Sequence, residues 1–325
     1  MRVLLTGGYG CIGSWIVRTL LPDGHSLWIY DLKQDPHRLR LLLSDEQIAK
    51  VGFLEGDVTD LAALRTVIDK YEISHIVHLA ALQIPACRAN PLLGAKVNVL
   101  GTLAVLEAVR LAQRQVQRLV YASSAAVLGP PECYPPGPLA DDVPLYPRSH
   151  YGAYKVCNEI NARVYFEEHG VSSIGLRPWT VYGVGRDFGL TSEPTKATKA
   201  LAMGRPYHIS CGSTQDLQYA GDVARTFVRC LEAPYEGGKC YNIRGSPVAM
   251  PEFHRVLCKI DPAAERLITY GDRQIPIAPN VDDRALEQDL GPMPKTPLSD
   301  MVRQTWEQFR RLHGQGLLDP ADLTG

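Results

Sequence analysis

Two kinds of hydrophobic pattern alternate along the first half of the chain. Short apolar runs, which are typical of buried strands, are separated by longer segments in which apolar residues recur at helical spacing. The predicted strands lie at residues 2–5, 27–30, 52–54, 76–81, 118–122 and 173–176, and the predicted helices at residues 12–20, 61–70, 97–114 and 151–169. Strands that alternate with helices form a parallel sheet with helices on both faces. The pattern therefore predicts an α/β fold with a doubly wound parallel sheet.

A glycine-rich loop connects the first predicted strand to the first predicted helix, where residues 6–13 read TGGYGCIG. Gly7 permits a tight turn and Gly10 lets a ligand approach the backbone. Gly13 allows the helix to pack closely on the strand. The pyrophosphate of a dinucleotide binds at such a helix N-terminus. The loop and its flanking elements predict a sheet of the Rossmann type, although glycine-rich loops also serve as plain turns.

Asp31 ends the second predicted strand, and its position indicates which dinucleotide binds. A carboxylate there can accept hydrogen bonds from the adenosine ribose hydroxyls and would repel a 2′-phosphate. The sequence therefore favours NAD over NADP. Lys33 is a nearby cation that could tolerate a phosphate, so NADP stays open at this point.

Tyr151 and Lys155 are four residues apart on a predicted helix and therefore share one face. A tyrosine is a poor base at neutral pH, because its ordinary pKa is about 10. A neighbouring ammonium is expected to lower that pKa, which would let Tyr151 take a proton from a hydroxyl group. Such a pair also occurs by chance on helices.

Ser123 and Ser124 follow the predicted strand 118–122 and fall at the carboxyl edge of the sheet, where ligands bind in such folds. A serine hydroxyl there can hydrogen-bond a substrate alkoxide or carbonyl, although paired serines also form ordinary turns. A Ser-His-Asp hydrolase is the rival chemistry. It would place glycines around the nucleophile, and neither serine has flanking glycines.

These motifs resemble those of the extended short-chain dehydrogenases/reductases of the NAD-dependent epimerase/dehydratase type. The matches run in the family's order from residue 1 to about residue 245. They are the loop at 6–13, GDVTD at 56–60, HLAA at 78–81, NP at 90–91, VNVLGT at 97–102, Ser123-Ser124, the Tyr151–Lys155 pair, RPWTVYG at 177–183, YAGDVA at 219–224 and YNI at 241–243.

The resemblance implies a role for each matching residue. It assigns cofactor contacts to Gly7, Gly10, Cys11, Ile12, Asp31, Asp57, Val58, Leu79, Ala80, Ala81, Asn98, Ser123, Tyr151, Lys155 and Pro178. It makes Tyr151 the general base, Lys155 its activator and Ser124 the partner of the substrate hydroxyl, with Ser123 as the rival for that last role. It also implies a homodimer in which helices 97–114 and 151–169 pair across the axis.

The motifs fill the first part of the chain and barely touch the rest. They divide it into an NAD-binding Rossmann domain of residues 1–177, to which residues 216–245 return, and a substrate-binding region of residues 178–215 and 246–325. Helical spacing recurs within this region at 191–203 and 301–313. Residues 315–325 are expected to form a mobile tail.

Departures from the family pattern narrow the reaction. Ala125 and Ala126 stand where dehydratases of this family carry acidic residues, so elimination of water is disfavoured. Epimerases acting on sugar nucleotides often have Asn where this chain has Thr180 and Arg where it has Gln215. An arginine binds a diphosphate through strong charge-assisted hydrogen bonds, so its absence makes a diphosphate substrate less favoured.

Four residues are the candidates for substrate contact: Gln83, Thr180, Arg186 and Gln215. Arg186 could replace the missing arginine and bind a diphosphate. It could equally bind the carboxylate of a sugar acid, or it could be a solvated loop residue.

Composition excludes several classes of protein. The net charge of −1 argues against a nucleic-acid binder. The chain has no run of 18 or more apolar residues, so no membrane span is expected. No leader peptide is expected, because an apolar strand starts at Val3. The 8 cysteines are dispersed without C-x-x-C spacing, which predicts reduced thiols in the cytoplasm and no metal site.

The sequence thus predicts NAD-dependent hydride transfer at a secondary alcohol of a sugar-like small molecule. The favoured net reaction is epimerisation through a transient keto intermediate. Net dehydrogenation of a free sugar or sugar acid is the alternative, and a non-catalytic NAD-binding regulator is the alternative from another class.

Overall fold

The computed structural model describes residues 1–323, and within them seven parallel strands form the central sheet in the order β10-β6-β5-β4-β1-β2-β3. The strands are β1 Arg2–Thr6, β2 Ser26–Asp31, β3 Gly52–Glu55, β4 His75–His78, β5 Arg118–Ala122, β6 Ser173–Arg177, β7 Thr180–Tyr182, β8 Tyr207–Cys211, β9 Gln215–Tyr219, β10 Cys240–Asn242, β11 Ser246–Val248 and β12 Ile268–Arg273. β2 and β3 are added on one side of β1, and the chain then crosses over so that β4 is added on the other side. A crevice opens at the carboxyl ends of the strands at this switch point. The predicted α/β fold with a doubly wound parallel sheet is confirmed.

Helices cover both faces of this sheet. The α-helices are α1 Cys11–Leu20, α2 His37–Arg40, α3 Asp45–Ile48, α4 Leu61–Lys70, α5 Ile84–Ala89, α6 Pro91–Ala95, α7 Gly101–Leu111, α8 His150–His169, α9 Glu193–Ala202, α10 Ala220–Glu232, α11 Met250–Ile260, α12 Ala264–Leu267, α13 Arg284–Leu290 and α14 Leu298–Gly314. Short 3₁₀ turns lie at Leu21–Asp23, Ala125–Val127, Pro131–Cys133 and Pro320–Leu323, and a π-helical turn lies at Lys96–Leu100. Helices α4, α7 and α8 pack as neighbours, as do α1 and α10.

The strand sequences explain why both faces are covered. Leu4 and Ile76 enter the hydrophobic cluster that includes residues of α4 and α7, whereas Leu5 and Val77 enter the cluster that includes residues of α1 and α10. Successive strand side chains point to opposite faces, so an unbroken apolar run needs a layer of helices on each side.

The helix predicted at residues 97–114 starts earlier and contains an irregular turn. Residues Pro91–Leu111 are helical over 21 residues, and the π-turn Lys96–Leu100 interrupts the α-helical hydrogen bonds. This stretch has a mean hydropathy of 1.6 and is long and apolar enough to cross a membrane by length and composition alone. Lys96, Glu107 and Arg110 interrupt the stretch, so it contains no continuous run of 18 apolar residues, and the absence of a membrane span stays a prediction. Half of its most apolar window is buried, which is also typical of a core helix.

Smaller sheets and the last helices complete the chain. In the described residues a three-stranded sheet has the order β11-β9-β7, and a two-stranded sheet pairs β12 with β8. β10 pairs with β6 at the edge of the central sheet. The division into a cofactor domain and a substrate-binding region stays a prediction.

The predicted mobile tail lies against α9 as far as the structure describes it. The 3₁₀ turn Pro320–Leu323 is held by Lys199, whose Nζ donates to the Asp319 carbonyl oxygen and to Asp322 Oδ1 at 2.5 Å each. Residues 324 and 325 of that predicted tail lie outside the described residues.

Candidate active site

A cleft of about 510 Å³ lies along the carboxyl ends of the central strands. The predicted cofactor residues that line it are Gly7, Gly10, Cys11, Ile12, Asp31, Asp57, Val58, Leu79, Ala80, Ala81, Ser123, Tyr151, Lys155 and Pro178. Ser124, Gln83 and Arg186 line it as well. Residues that are far apart in the sequence therefore meet in one crevice, because parallel strands bring their carboxyl ends to one edge.

The glycine loop is shaped to receive a ligand at the start of α1. Gly7 has a φ of +68°, and a Cβ there would lie 2.7 Å from the backbone of Ala80. A Cβ on Gly10 would meet only the Gly7 carbonyl oxygen, at 3.2 Å, so this side of the loop is otherwise open. No side chain caps α1, which leaves the N–H groups of its first turn available to a phosphate.

The carboxylate of Asp31 faces the cleft at the end of β2. Its Oδ1 accepts a hydrogen bond from the backbone N–H of Leu32 at 2.9 Å, and burial raises its pKa. Lys33 does not line the cleft; its ammonium lies 4.0 Å from Asp35 and its side chain is 80% exposed. The loop and this carboxylate fit the pyrophosphate and ribose of NAD.

Asn98 does not line the cleft but holds part of its wall. Its Nδ2 donates to the Leu82 carbonyl oxygen at 2.9 Å and its Oδ1 accepts from the Leu82 N–H at 2.7 Å. Asn98 lies in the π-turn, and Asn158 Nδ2 donates to its carbonyl oxygen at 2.8 Å. Its contacts are therefore structural, and it positions the segment after β4.

Tyr151 and Lys155 face the cleft from the first turns of α8, which begins after the N-cap residue Ser149. The Lys155 Nζ lies 5.6 Å from the centre of the Tyr151 ring and donates to the Ala122 carbonyl oxygen at 2.6 Å. Ser124 follows β5, and its hydroxyl lies close enough to Tyr151 to act on the pKa of the phenol. A hydroxyl, a phenol and an ammonium thus meet at one end of the cleft.

Burial controls the ionisation of these groups. It raises the pKa of Tyr151, while the Ser124 hydroxyl and the guanidinium of Arg186 act in the opposite direction. Burial also lowers the pKa of Lys155 to about 8. The Lys155 ammonium is directed to a backbone carbonyl, and Arg186 is a cation that acts to lower the pKa of Tyr151. The activation of Tyr151 by Lys155 stays a prediction.

The structure separates the roles of Ser123 and Ser124. Ser123 is a buried residue of the cleft wall, and its hydroxyl donates to Glu159 Oε1. Glu159 in turn accepts from Arg177 Nε at 2.9 Å and from Arg177 Nη2 at 2.7 Å. Ser124 is therefore the serine left for a ligand hydroxyl. Sequence reasoning missed this buried ion pair, although Glu159 is one helical turn beyond Lys155.

The four candidate substrate residues separate into two groups. Gln83 and Arg186 line the cleft, whereas Thr180 and Gln215 do not. Thr180 Oγ1 donates to Gln215 Oε1 at 2.8 Å, and both side chains are buried. The structure thus does not bring these two to the cleft, because they lie on the paired strands β7 and β9 and face the interior.

Other cleft residues were missed from the sequence, because loops without a recognisable motif supply them: Phe188, Leu190, Thr191 and Ile277. Trp179 also lines the cleft; it lies within the motif at 177–183, but nothing in the sequence indicated a role for it. All 8 cysteines lie in the described part of the chain and are free thiols. Within residues 1–323 no group of three or more His, Cys, Asp or Glu side chains could hold a metal ion.

A nucleotide-binding crevice at the switch point of a parallel sheet, beside a tyrosine and a lysine on one helix face, is the arrangement of short-chain dehydrogenases/reductases. Comparison with family models agrees. Residues 3–243 match the NAD dependent epimerase/dehydratase family, and the chain belongs to this family. It is an NAD-dependent enzyme of the extended type.

Individual relatives refine this picture. A UDP-glucose 4-epimerase of Mycolicibacterium smegmatis is 32% identical over 319 residues, covering 95% of this chain and 99% of the relative. A crystal structure of a Thermus thermophilus UDP-glucose 4-epimerase in complex with NAD aligns with a TM-score of 0.80 and 27% identity, covering 95% of this chain and 99% of that one. A monomeric L-threonine 3-dehydrogenase from a metagenome has a TM-score of 0.82 at 22% identity, covering 96% and 99%, and shares the fold.

Proposed function

We propose that this enzyme oxidises a secondary alcohol of a sugar-like substrate, with Tyr151 as the general base. The observation that carries the proposal is the meeting of Tyr151, Ser124 and Lys155 in the same cleft as the glycine loop and Asp31. A proton acceptor must lie within hydrogen-bond distance of the substrate hydroxyl. A cleft that would bind the cofactor along its whole length leaves the substrate a place beside Tyr151, which would set that distance.

Each residue contributes a separate part of the reaction. The Tyr151 phenolate takes the hydroxyl proton, while the Ser124 hydroxyl donates a hydrogen bond to the same substrate oxygen. Bound NAD⁺ supplies the acceptor for the hydride that leaves the carbon. The Lys155 ammonium, held by the Ala122 carbonyl, orients the cofactor ribose at this end of the cleft. The carbon is oxidised to a ketone, and the proton remains on Tyr151.

The net reaction we propose is epimerisation, in which the bound ketone is reduced again on its other face. The relative that is 32% identical over 95% of this chain is a UDP-glucose 4-epimerase, which supports this choice. Ala125 and Ala126 line the cleft and cannot transfer protons, which disfavours dehydration. Thr180 and Gln215 stand where epimerases acting on sugar nucleotides often have Asn and Arg, and both are buried outside the cleft. Neither side chain can therefore bind a substrate diphosphate. This favours the second candidate, net dehydrogenation of a free sugar or sugar acid.

Turnover of a substrate panel tests this function. The panel contains UDP-glucose, UDP-galactose, free hexoses and hexuronic acids, each with NAD. An isomerised product with no increase in the absorbance of NADH indicates an epimerase. Accumulation of NADH indicates a dehydrogenase. Tyr151→Phe should lose activity by roughly 100-fold or more. Tyr146→Phe is the matched control, since Tyr146 is exposed and does not line the cleft. Unchanged turnover by Tyr151→Phe would refute the assignment of Tyr151 as the general base.

We also propose a homodimer formed through α7 and α8, in a protein of the cytoplasm. Large apolar side chains are exposed on α7, on α8 and on the helical turns that lead into α7: Leu111 at 49%, Ile160 at 49%, Leu92 at 85% and Leu100 at 55%. Exposed apolar patches often mark protein interfaces. Leu100→Glu should convert a dimer to a monomer by light scattering, whereas Leu317→Glu, at a residue 50% exposed elsewhere, should not. A wild-type monomer at micromolar concentration contradicts this proposal.

A further inference from the structure

An ion pair connects two distant segments that line the cofactor end of the cleft. Arg38 lies on α2, after the strand that ends at Asp31, and Asp187 lies in the loop that follows β7. Arg38 donates from Nε to Asp187 Oδ2 at 3.0 Å and from Nη2 to Asp187 Oδ1 at 2.7 Å. Their side chains are 22% and 24% exposed, so solvent screens the pair only in part. Because such paired, charge-assisted hydrogen bonds are strong, this ion pair, the clasp, holds the two segments together.

The clasp lies beside the groups that are expected to bind the pyrophosphate. Arg38 Nη1 donates to the carbonyl oxygen of Tyr9, within the glycine loop, at 3.2 Å. Burial raises the pKa of the Cys11 thiol, on the first residue of α1, to about 11, and the charges of both clasp residues act on it as well. The charge of Arg38 also reaches Asp31, where it opposes the effect of burial on the pKa. The clasp is therefore close to the N-terminus of α1 and to the ribose carboxylate, between which the adenosine diphosphate part of NAD would bind.

The carboxylate of the clasp lies on a short segment between two glycines. Gly185 and Gly189 have φ of +88° and +105°, which other residues rarely adopt. The chain is anchored just before this segment, because Trp15 Nε1 donates to the Val184 carbonyl oxygen at 2.8 Å. Within the segment, the side chain of Phe188 is 54% exposed. Loop positions that can absorb large backbone changes act as hinges, so the segment can move while its anchor stays in place.

We propose that the Arg38–Asp187 clasp controls the exchange of NAD by closing the cleft beside the pyrophosphate. The cofactor is released only when the ion pair opens and the segment 185–189 moves away. This inference goes beyond the proposed chemistry and holds for an epimerase and for a dehydrogenase alike. The nearest alternative is that Arg38 binds the pyrophosphate itself, and the two predict opposite effects at Asp187. Asp187 is an anion beside the site of an anionic group, so by electrostatics alone its neutralisation should slow the release of the cofactor. Loss of the clasp should accelerate it.

The rate of NADH release tests the proposal without requiring turnover. Stopped-flow fluorescence follows NADH as it leaves the enzyme after excess NAD is added, for the wild type, Arg38→Met, Asp187→Asn and the double variant. Each single variant should release NADH about 5- to 30-fold faster than the wild type. The double variant should be no more than about twofold faster than either single variant, because both changes remove the same contact. Arg38→Lys keeps the charge without the paired geometry, so its release rate should lie between those of the wild type and Arg38→Met.

Arg65→Met and Asp69→Asn are the matched controls. Arg65 Nη2 donates to both carboxylate oxygens of Asp69, at 3.1 and 3.0 Å, and neither residue lines the cleft. Both controls should release NADH at the wild-type rate. Slower release by Asp187→Asn overturns the proposal in favour of a direct contact between Arg38 and the pyrophosphate, and unchanged release overturns it in favour of a purely structural ion pair. It is also overturned if the two single effects multiply in the double variant. Because these rates concern the cofactor alone, they remain decisive even if Tyr151→Phe shows the proposed chemistry to be wrong.

Discussion

Replacement of Gly7 by alanine tests the geometry of the cofactor loop most directly, and the chain offers a matched control. Gly7 and Gly24 have nearly the same left-handed backbone, with φ of +68° and +73°. A Cβ at Gly7 would lie 2.7 Å from both the Cα and the N of Ala80, whereas a Cβ at Gly24 would meet nothing within 4 Å. The two variants therefore share a backbone penalty and differ in the collision.

The expected costs follow from these two terms. A left-handed alanine costs about 1–2 kcal/mol, of which part is offset by the lower entropy of the unfolded chain, so Gly24→Ala should lose about 1 kcal/mol. At Gly7 the neighbour is backbone and cannot rotate away, and overpacking adds about 1–3 kcal/mol. Gly7→Ala should therefore lose about 2–4 kcal/mol of unfolding free energy.

Urea unfolding followed by circular dichroism measures this difference, and NAD titration measures its consequence at the site. Ala80 lines the cleft, so pushing it away from Gly7 should weaken NAD binding by roughly 10-fold or more, while Gly24→Ala should bind NAD normally. Equal midpoints for the two variants, or normal NAD binding by Gly7→Ala, would show that the loop does not approach Ala80 as described.

Further predictions address the buried pair, the ribose site and the base. Glu159→Gln should destabilise the protein by about 3–5 kcal/mol in urea unfolding, because it leaves the Arg177 guanidinium buried without its carboxylate; a loss below about 1 kcal/mol contradicts this. Asp31→Asn should weaken NAD by roughly 10-fold and raise the ratio of NADP to NAD affinity; an unchanged ratio in parallel titrations argues against ribose recognition. Arg186→Met should move the rising limb of the pH–rate profile to higher pH, because loss of the guanidinium raises the pKa of Tyr151 further and leaves less phenolate at a given pH. A limb that stays in place, or moves to lower pH, would show that Arg186 does not act on Tyr151.

The elements that the sequence predicted well are those with local signals. Strands at 2–5 and 118–122 appear as Arg2–Thr6 and Arg118–Ala122, since apolar runs of this length can be buried only inside a sheet covered on both faces. The helix at 151–169 appears as His150–His169, with Ser149 as its N-cap. The boundary of α6 was missed, because Pro91 starts a helix that the π-turn then interrupts.

The candidate site shows the same division between local and distant contacts. Tyr151 and Lys155 share a helix face whatever the rest of the chain does, so their spacing alone predicted their proximity. The choice between Ser123 and Ser124 depended on Glu159, which lies 36 residues beyond Ser123. The exclusion of Thr180 from the cleft depended on its partner Gln215, 35 residues away.

The sequence by itself determined the parallel sheet, the glycine loop and the Tyr–Lys pair, because hydrophobic period and short-range spacing specify them. Only the tertiary structure decided which polar side chains reach the cleft. Arg38 and Asp187 are 149 residues apart, yet their ion pair occupies the carboxylate next to Arg186. Whether a charged side chain is paired or available depends on such long-range packing, which has no counterpart in local sequence.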